Sequence, residues 1–227
     1  MNIALIVFAG SGSRLLSDIP KQFIKINDVD LVVHTIEKFE QNPYIDEIIL
    51  VTSKLYVPYV ESFIDKYELK KVVKVVEGGD TRQESVRKGL ESVEYDKNDN
   101  VLIHDGDRPL VSNSIINQCI SFLDEYKATC PVIEVSENYQ EISASGRKKL
   151  LDGKCFDIQT PQAFKFGLIK ESHLKKMNLK FDDDIGLVED EVEVKYFPGE
   201  KENFKITKNE DLEFLKKLME TADEKDN

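Results

Sequence analysis

The apolar run Ile3-Ala4-Leu5-Ile6-Val7-Phe8 leads straight into a turn that carries Gly10 and Gly12. A run without polar alternation suits a strand covered on both faces. The two glycines let the backbone turn sharply and come close to a ligand, with N–H groups free to hold phosphate oxygens. Arg14 and Lys21 add two cations to the same neighbourhood. A covered strand, a glycine turn and two positive charges together point to an α/β sheet with a polyphosphate site at a strand end.

The turn is not one of the commoner phosphate loops. The dinucleotide fingerprint needs a third glycine where this chain has Leu15, and no Gly-Lys-Ser/Thr triplet follows. Gly-x-Gly after a strand is by itself equally a plain turn, and two basic residues nearby are often solvated surface. The Pro20-Lys21-Gln22-Phe23 sequence after the loop favours the ligand reading.

Downstream, strand-like runs alternate with helical patterns. Leu31 to Phe39 reads as a helix, Glu47 to Val51 as a buried strand and Tyr59 to Tyr67 as a helix. Lys71 to Val76 is a partly polar strand, Ser85 to Val93 a helix, and Val101 to His104 a strand ending at Asp105. Ser112 to Tyr126 reads as a long helix with Ser112 or Asn113 as its N-cap. The alternation predicts a mostly parallel sheet with helices on both faces. Residues 133–156 are polar and strand-like in patches, and the charged tail beyond Met219 is expected to fray.

Composition narrows the function classes. A chain of 227 residues fits one α/β domain, 1–227, and can bury a substantial core. A formal charge of −12 argues against a nucleic-acid partner, so any phosphate site must be a local basic pocket. No apolar run is long enough to span a bilayer, so no membrane partner is expected. Cys119, Cys130 and Cys155 are odd in number and form no Cys-x-x-Cys pair, which suits reduced thiols in a cytoplasmic protein.

Five ordered blocks carry a resemblance. They are Phe8-Ala9-Gly10-Ser11-Gly12-Ser13-Arg14-Leu15 with Pro20-Lys21-Gln22-Phe23; Gly78 to Val86, reading GGDTRQESV; His104-Asp105-Gly106-Asp107-Arg108-Pro109; Gln159 to Phe164; and Asn203 to Thr207. Together the chain resembles the cytidylyltransferases that make CDP-activated polyol phosphates, the 2-C-methyl-D-erythritol 4-phosphate and ribitol 5-phosphate enzymes. The resemblance implies a Rossmann-like nucleotidyltransferase sheet with a protruding β-arm at 133–156 that reaches across a two-fold axis, and hence a homodimer. It implies CTP as donor, a phosphorylated small molecule as acceptor, Mg2+ as cofactor and pyrophosphate as leaving group.

The same resemblance distributes roles. Arg14, Lys21 and Lys205 are the catalytic cations. Phe8, Ala9, Gly10, Ser11 and Gly12, with Gly79, Asp80, Arg82 and Ser85, form the nucleotide-binding set. Asp80 offers an acceptor for the cytosine amine, though Gly-Gly-Asp is also good turn chemistry. Arg82 organises its loop or meets phosphate. Asp105, at a strand end, is the magnesium candidate, or else a turn residue, while His104 packs locally. Arg108, Asp152 and Thr160 fall on the acceptor side, and Arg108 is open between pairing with Asp105 or Asp107 and touching the acceptor.

The acceptor side departs from the pattern. The family's arm arginine, ten residues before Gln162, is Asp152 here, and an aspartate repels a phosphate. The Asp-Thr pair reads Glu134-Val135, with the Ser136 hydroxyl one residue on, and the Thr-Asp-Asp motif reads Asp182-Asp183-Asp184. Arg147, Lys148 or Lys154 are replacement cations. An amino-bearing phosphate acceptor, another nucleotide on the same fold, or a non-catalytic nucleotide-binding module are the competing readings.

Overall fold

The computed structural model describes residues 1–10, 19–135, 140–143, 146–149 and 155–223. Strand β1 (Asn2–Val7) is followed by the short hairpin β2 (Lys25–Ile26) and β3 (Val29–Asp30), then α1 (Leu31–Glu40), β4 (Glu47–Thr52), α2 (Val57–Lys66) and β5 (Val72–Glu77). Next come α3 (Arg82–Glu91), β6 (Asn100–Asp105), α4 (Asn113–Phe122) and β7 (Ala128–Val135). A hairpin of β8 (Gln140–Ser143) and β9 (Gly146–Lys149) precedes β10 (Cys155–Ile158), β11 (Gln162–Lys165), α5 (Phe166–Lys175), β12 (Val194–Pro198) and α6 (Asn209–Asp223).

One eight-stranded sheet runs β10-β7-β11-β6-β1-β4-β5, with β12 added to β7. Its strands β5, β4, β1 and β6 are parallel, and β12 is parallel to β7. Strands β10 and β11 oppose β7, and β11 also opposes β6. The expected mostly parallel sheet is therefore present, with two antiparallel strands set into one side.

Alternation along the central strands explains the two-sided core. Ala4 and Ile6 of β1, Ile48 and Leu50 of β4 and Leu102 of β6 face a cluster with Val33, Ile36 and Phe39 of α1, Phe63 of α2 and Ile116 of α4. Ile3, Leu5 and Val7, Ile49 and Val51, and Val101 and Ile103 face the opposite cluster, with Val86 and Leu90 of α3 and Ile169 of α5. Both faces are apolar, so the strands read as unbroken apolar runs. Strand β5 is the edge, with Val73 half exposed, which accounts for its partly polar sequence.

Two boundaries differ from the sequence reading. Helix α4 stops at Phe122, not Tyr126, because turns through Asp124 and Glu125 redirect the chain toward β7. Its N-cap is Ser112, whose Oγ accepts from the Ile115 N–H at 3.2 Å. Helix α6 continues to Asp223 where fraying was expected past Met219, and Leu212, Leu215 and Met219 pack it against Ile26, Leu31 and Ile206.

The order β5-β4-β1-β6 places the first strand between the earlier strands and the later ones. The chain therefore reverses direction of growth between β1 and β6, and a crevice opens at their carboxyl ends. The residues after β1, β5 and β6 all reach that crevice.

Candidate active site

A cleft of about 590 Å³ is lined by Phe8, Ala9 and Gly10 after β1, by Gly78 to Arg82 and Ser85 around the start of α3, and by Asp105, Asp107, Lys21 and Lys205. Four segments far apart in sequence thus converge where the strand order reverses. Of the sequence-predicted set, Ser11, Gly12, Arg14 and Asp152 lie outside the described residues, as do Ser136 and Lys154 among the acceptor-side alternatives. Arg147 and Lys148 sit on β9 of the separate hairpin.

The Pro20-Lys21-Gln22-Phe23 segment shows how a local sequence builds the site. Lys21–Phe23 is a single 3-10 turn opened by Pro20. Phe23 anchors it, stacked on Tyr56 with ring centroids 4.5 Å apart and edge-on to Tyr59 at 5.4 Å. Gln22, buried, donates from Nε2 to the Phe8 and Gly10 carbonyls, both at 2.9 Å. That amide bridges the start of the glycine turn, a role the sequence reading did not assign, although Gln22 lay within a recognised block. Lys21 then donates to the Asp107 carboxylate and, at 2.7 Å, to the Ile206 carbonyl.

The second loop is held by its own cap. Thr81 Oγ1 accepts from the Glu84 N–H at 3.1 Å, starting α3, and Glu84 Oε2 accepts from the Asp80 N–H at 2.9 Å. This is a capping box displaced by one residue on the return arm. Ser85 Oγ accepts from the Gly79 N–H at 3.0 Å and donates to the Thr81 carbonyl at 2.8 Å. A Cβ on Gly78 would stand 2.5 Å from Ala9 Cβ and 2.8 Å from Ser85 Oγ, so only glycine lets the two loops meet.

A chain of charges runs across the cleft floor. Lys205 Nζ donates to Asp105 Oδ2 at 2.9 Å, and Arg82 Nε donates to Asp105 Oδ1 at 2.9 Å. Arg82 Nη1 continues to Asp184 Oδ2 at 2.7 Å, and His173 Nε2 stands 3.0 Å from Asp184 Oδ1. Burial alone would raise the Asp105 carboxyl, but Arg82, Lys205 and Arg108 hold it well below the usual carboxylate range. Asp184, also buried, is held down by Arg82 and by its bond to His173. Arg82 thus pairs with two carboxylates while lining the cleft.

His104 is neutral. Burial pushes its imidazole down to about 3. Its Nε2 lies 3.1 Å from the Arg108 carbonyl, so that nitrogen carries the proton and Nδ1 accepts from the Thr160 hydroxyl at 3.1 Å. The Thr160 oxygen in turn accepts from the Asp105 N–H at 3.1 Å. Thr160 and Arg108 are both buried and do not line the cleft. Arg108 donates from Nη1 to the Asn203 carbonyl at 2.7 Å, and its Nε lies 3.7 Å from Asp105 Oδ2. The structure thus engages both internally, tying the Asp105 strand end to the segment that carries Lys205.

The aspartate triplet is likewise spoken for. Asp184 belongs to the Arg82 pair, Asp183 Oδ1 accepts from the Gly186 N–H at 2.9 Å, and Asp182 is exposed. None of the three lines the cleft. Asp183 and Asp184 thus support internal structure, while Asp182 faces solvent.

Residues 2–221 match the family model "IspD: 2-C-methyl-D-erythritol 4-phosphate cytidylyltransferase". The chain belongs to that family. A 2-C-methyl-D-erythritol 4-phosphate cytidylyltransferase from Clostridium novyi is 40% identical over 225 residues, covering 96% of each chain. Its counterpart from Clostridium tetani is 38% identical over 234 residues, covering 96% of this chain and 91% of the relative. Among solved structures, the 4-diphosphocytidyl-2C-methyl-D-erythritol synthase of Anaerococcus prevotii superposes with a TM-score of 0.84 at 28% identity, covering 96% of each chain. The Francisella tularensis cytidylyltransferase gives 0.80 at 26% identity, over 94% of this chain and 97% of that one. Family membership makes the protein a cytidylyltransferase, a CTP-dependent nucleotidyltransferase, on a Rossmann-like α/β sheet.

Among the described residues, no group of three or more His, Cys, Asp or Glu side chains is arranged to hold a metal ion. Magnesium needs less, since it takes one or two carboxylates and completes its shell with substrate phosphates and water. Asp105 lines the cleft, and each of its oxygens accepts one charge-assisted bond with lone-pair capacity left over. Asp105 therefore fits a magnesium ion that arrives with the triphosphate.

Proposed function

We propose that the protein transfers the cytidylyl group of CTP to the phosphate of a phosphorylated polyol, with 2-C-methyl-D-erythritol 4-phosphate as the acceptor, for isoprenoid precursor synthesis. The observation that carries this reading is the convergence of Lys21, Asp105 and Lys205 with both glycine loops in one cleft at the strand-order reversal. The family match and the names of the relatives supply the acceptor.

An acceptor phosphate oxygen attacks the α-phosphorus of CTP, and pyrophosphate leaves. The attacking group is already an anion, so no strong base is required, and neutral His104 has both ring nitrogens engaged. Placement and charge neutralisation are the chain's task. Lys21 and Lys205, with Arg14, supply cations to the phosphoryl oxygens. Magnesium held by Asp105 would add further neutralisation of the triphosphate. Asp80, exposed on the cleft rim, accepts from the cytosine amine, while Gly79 and Ser85 frame the base.

A second acceptor reading rests on one residue. Asp152 stands where the family's arm arginine would hold the acceptor phosphate, which favours a different phosphorylated polyol held through another cation such as Lys154. Pyrophosphate release measured with each acceptor in turn separates the two: turnover with methylerythritol phosphate supports the first, and turnover only with another polyol phosphate supports the second. The protein acts as a homodimer in the cytoplasm; the β8–β9 hairpin, a two-stranded sheet of its own, is the arm that would meet a second copy. Sedimentation at micromolar concentration checks that state.

A further inference from the structure

Asp107 stands at one of the two positions that the His-Asp-x-x-Arg-Pro block leaves open, yet it lines the cleft between both phosphate-handling lysines. Its Oδ2 accepts from Lys21 Nζ, and its Oδ1 lies 3.9 Å from Lys205 Nζ. Asp107 is 9% exposed, and its buried Oδ1 has no hydrogen-bond partner among the described residues. The backbone fixes the carboxylate as firmly as the side chain does. The Asp107 carbonyl accepts from the Ile206 N–H at 2.9 Å, and the Ile206 carbonyl accepts from Lys21 Nζ at 2.7 Å. Lys21, Asp107 and Ile206 therefore form a closed triangle between the first loop, the end of β6 and the Lys205 segment.

Two consequences follow for a polyphosphate. The Lys21 ammonium has three hydrogens, two of which are taken by Asp107 and Ile206, leaving one for a phosphate oxygen. The Asp107 charge also sits against the same two cations that the polyphosphate needs, and in a partly buried site a like charge at such a distance is felt strongly. We propose that Asp107 is the positioning residue of Lys21, fixing its ammonium in the cleft while competing with polyphosphate for it. The lysine is then placed for the transition state without gripping pyrophosphate so tightly that the product stays. This rests on the nucleotide-cleft reading given above.

The test is calorimetric binding of inorganic pyrophosphate, with magnesium present, to wild-type protein and to Asp107→Asn, alongside steady-state turnover of CTP. Asp107→Asn is expected to bind pyrophosphate about tenfold more tightly, the size of effect that one nearby charge has on an ionic equilibrium. It is also expected to show a lower KM for CTP together with a lower kcat. A purely structural role would weaken binding along with turnover, so tighter binding combined with slower turnover is the signature. Pyrophosphate affinity that is unchanged or weaker in Asp107→Asn overturns the proposal. If that variant does not fold, Asp107→Ser carries the same comparison, and the same outcomes apply. Failure of the wild-type protein to bind either CTP or pyrophosphate would instead overturn the cleft reading itself, and this inference with it.

Discussion

Asp184 is buried, accepts from Arg82 Nη1 and His173, and holds the side chain that holds Asp105. Removing Asp184 leaves Arg82 with Asp105 alone and His173 without its carboxylate, so Asp184→Ala is expected to destabilise the protein by about 1–3 kcal/mol in denaturant unfolding. The pH dependence has a definite sign. Asp105 and Asp184 have folded values below their unfolded ones, so the folded state releases their protons first. Their stabilisation is present above the unfolded value, about pH 4, and is lost as pH falls through the folded values. Urea titrations from pH 7 to pH 3 should show a flat upper limb and a fall below about pH 4, shallower in Asp184→Asn. Lys205, partly exposed at 32% of its side chain, can be removed with less harm to the fold. Lys205→Ala is expected to lower kcat by about 10²–10³-fold, the range for losing one preorganised transition-state donor, with an unfolding midpoint lowered less than in Asp184→Ala as the control.

Helix α3 carries the second loop, and its approach to the sheet is set by one residue. A Cβ on Gly89 would lie 2.6 Å from Leu5 Cδ1 and 2.9 Å from Val51 Cγ2, so α3 rests directly on β1 and β4. Gly89→Val is expected to destabilise the protein by about 1–3 kcal/mol through overpacking and to lift Arg82 off Asp105, raising KM for CTP. Thermal unfolding and steady-state kinetics together check it. Much at this scale was legible in the sequence, because local rules govern it: the apolar runs became central strands, and the glycine and His-Asp blocks fell at their carboxyl ends. The missed features are long-range. Arg82 finds Asp184 across 102 residues and Lys21 finds Asp107 across 86, and no local pattern records either pair. Gln22 falls within a sequence motif, but only the fold shows its amide spanning the carbonyls of Phe8 and Gly10.

The whole molecule is an open sheet whose strand order places one cleft, with its loops, lysines and carboxylates drawn from segments between Val7 and Thr207. Its negative net charge of −12 makes that cluster of cations a local exception, suited to an anionic substrate that must be recognised at short range. Cytidylyl transfer from CTP to a phosphorylated polyol frees one pyrophosphate per turnover, and that release is the first quantity to measure. With CTP and magnesium, release is expected on adding 2-C-methyl-D-erythritol 4-phosphate, and none from CTP alone. Tight CTP binding without pyrophosphate release for methylerythritol phosphate, ribitol 5-phosphate or any other phosphorylated polyol would contradict it.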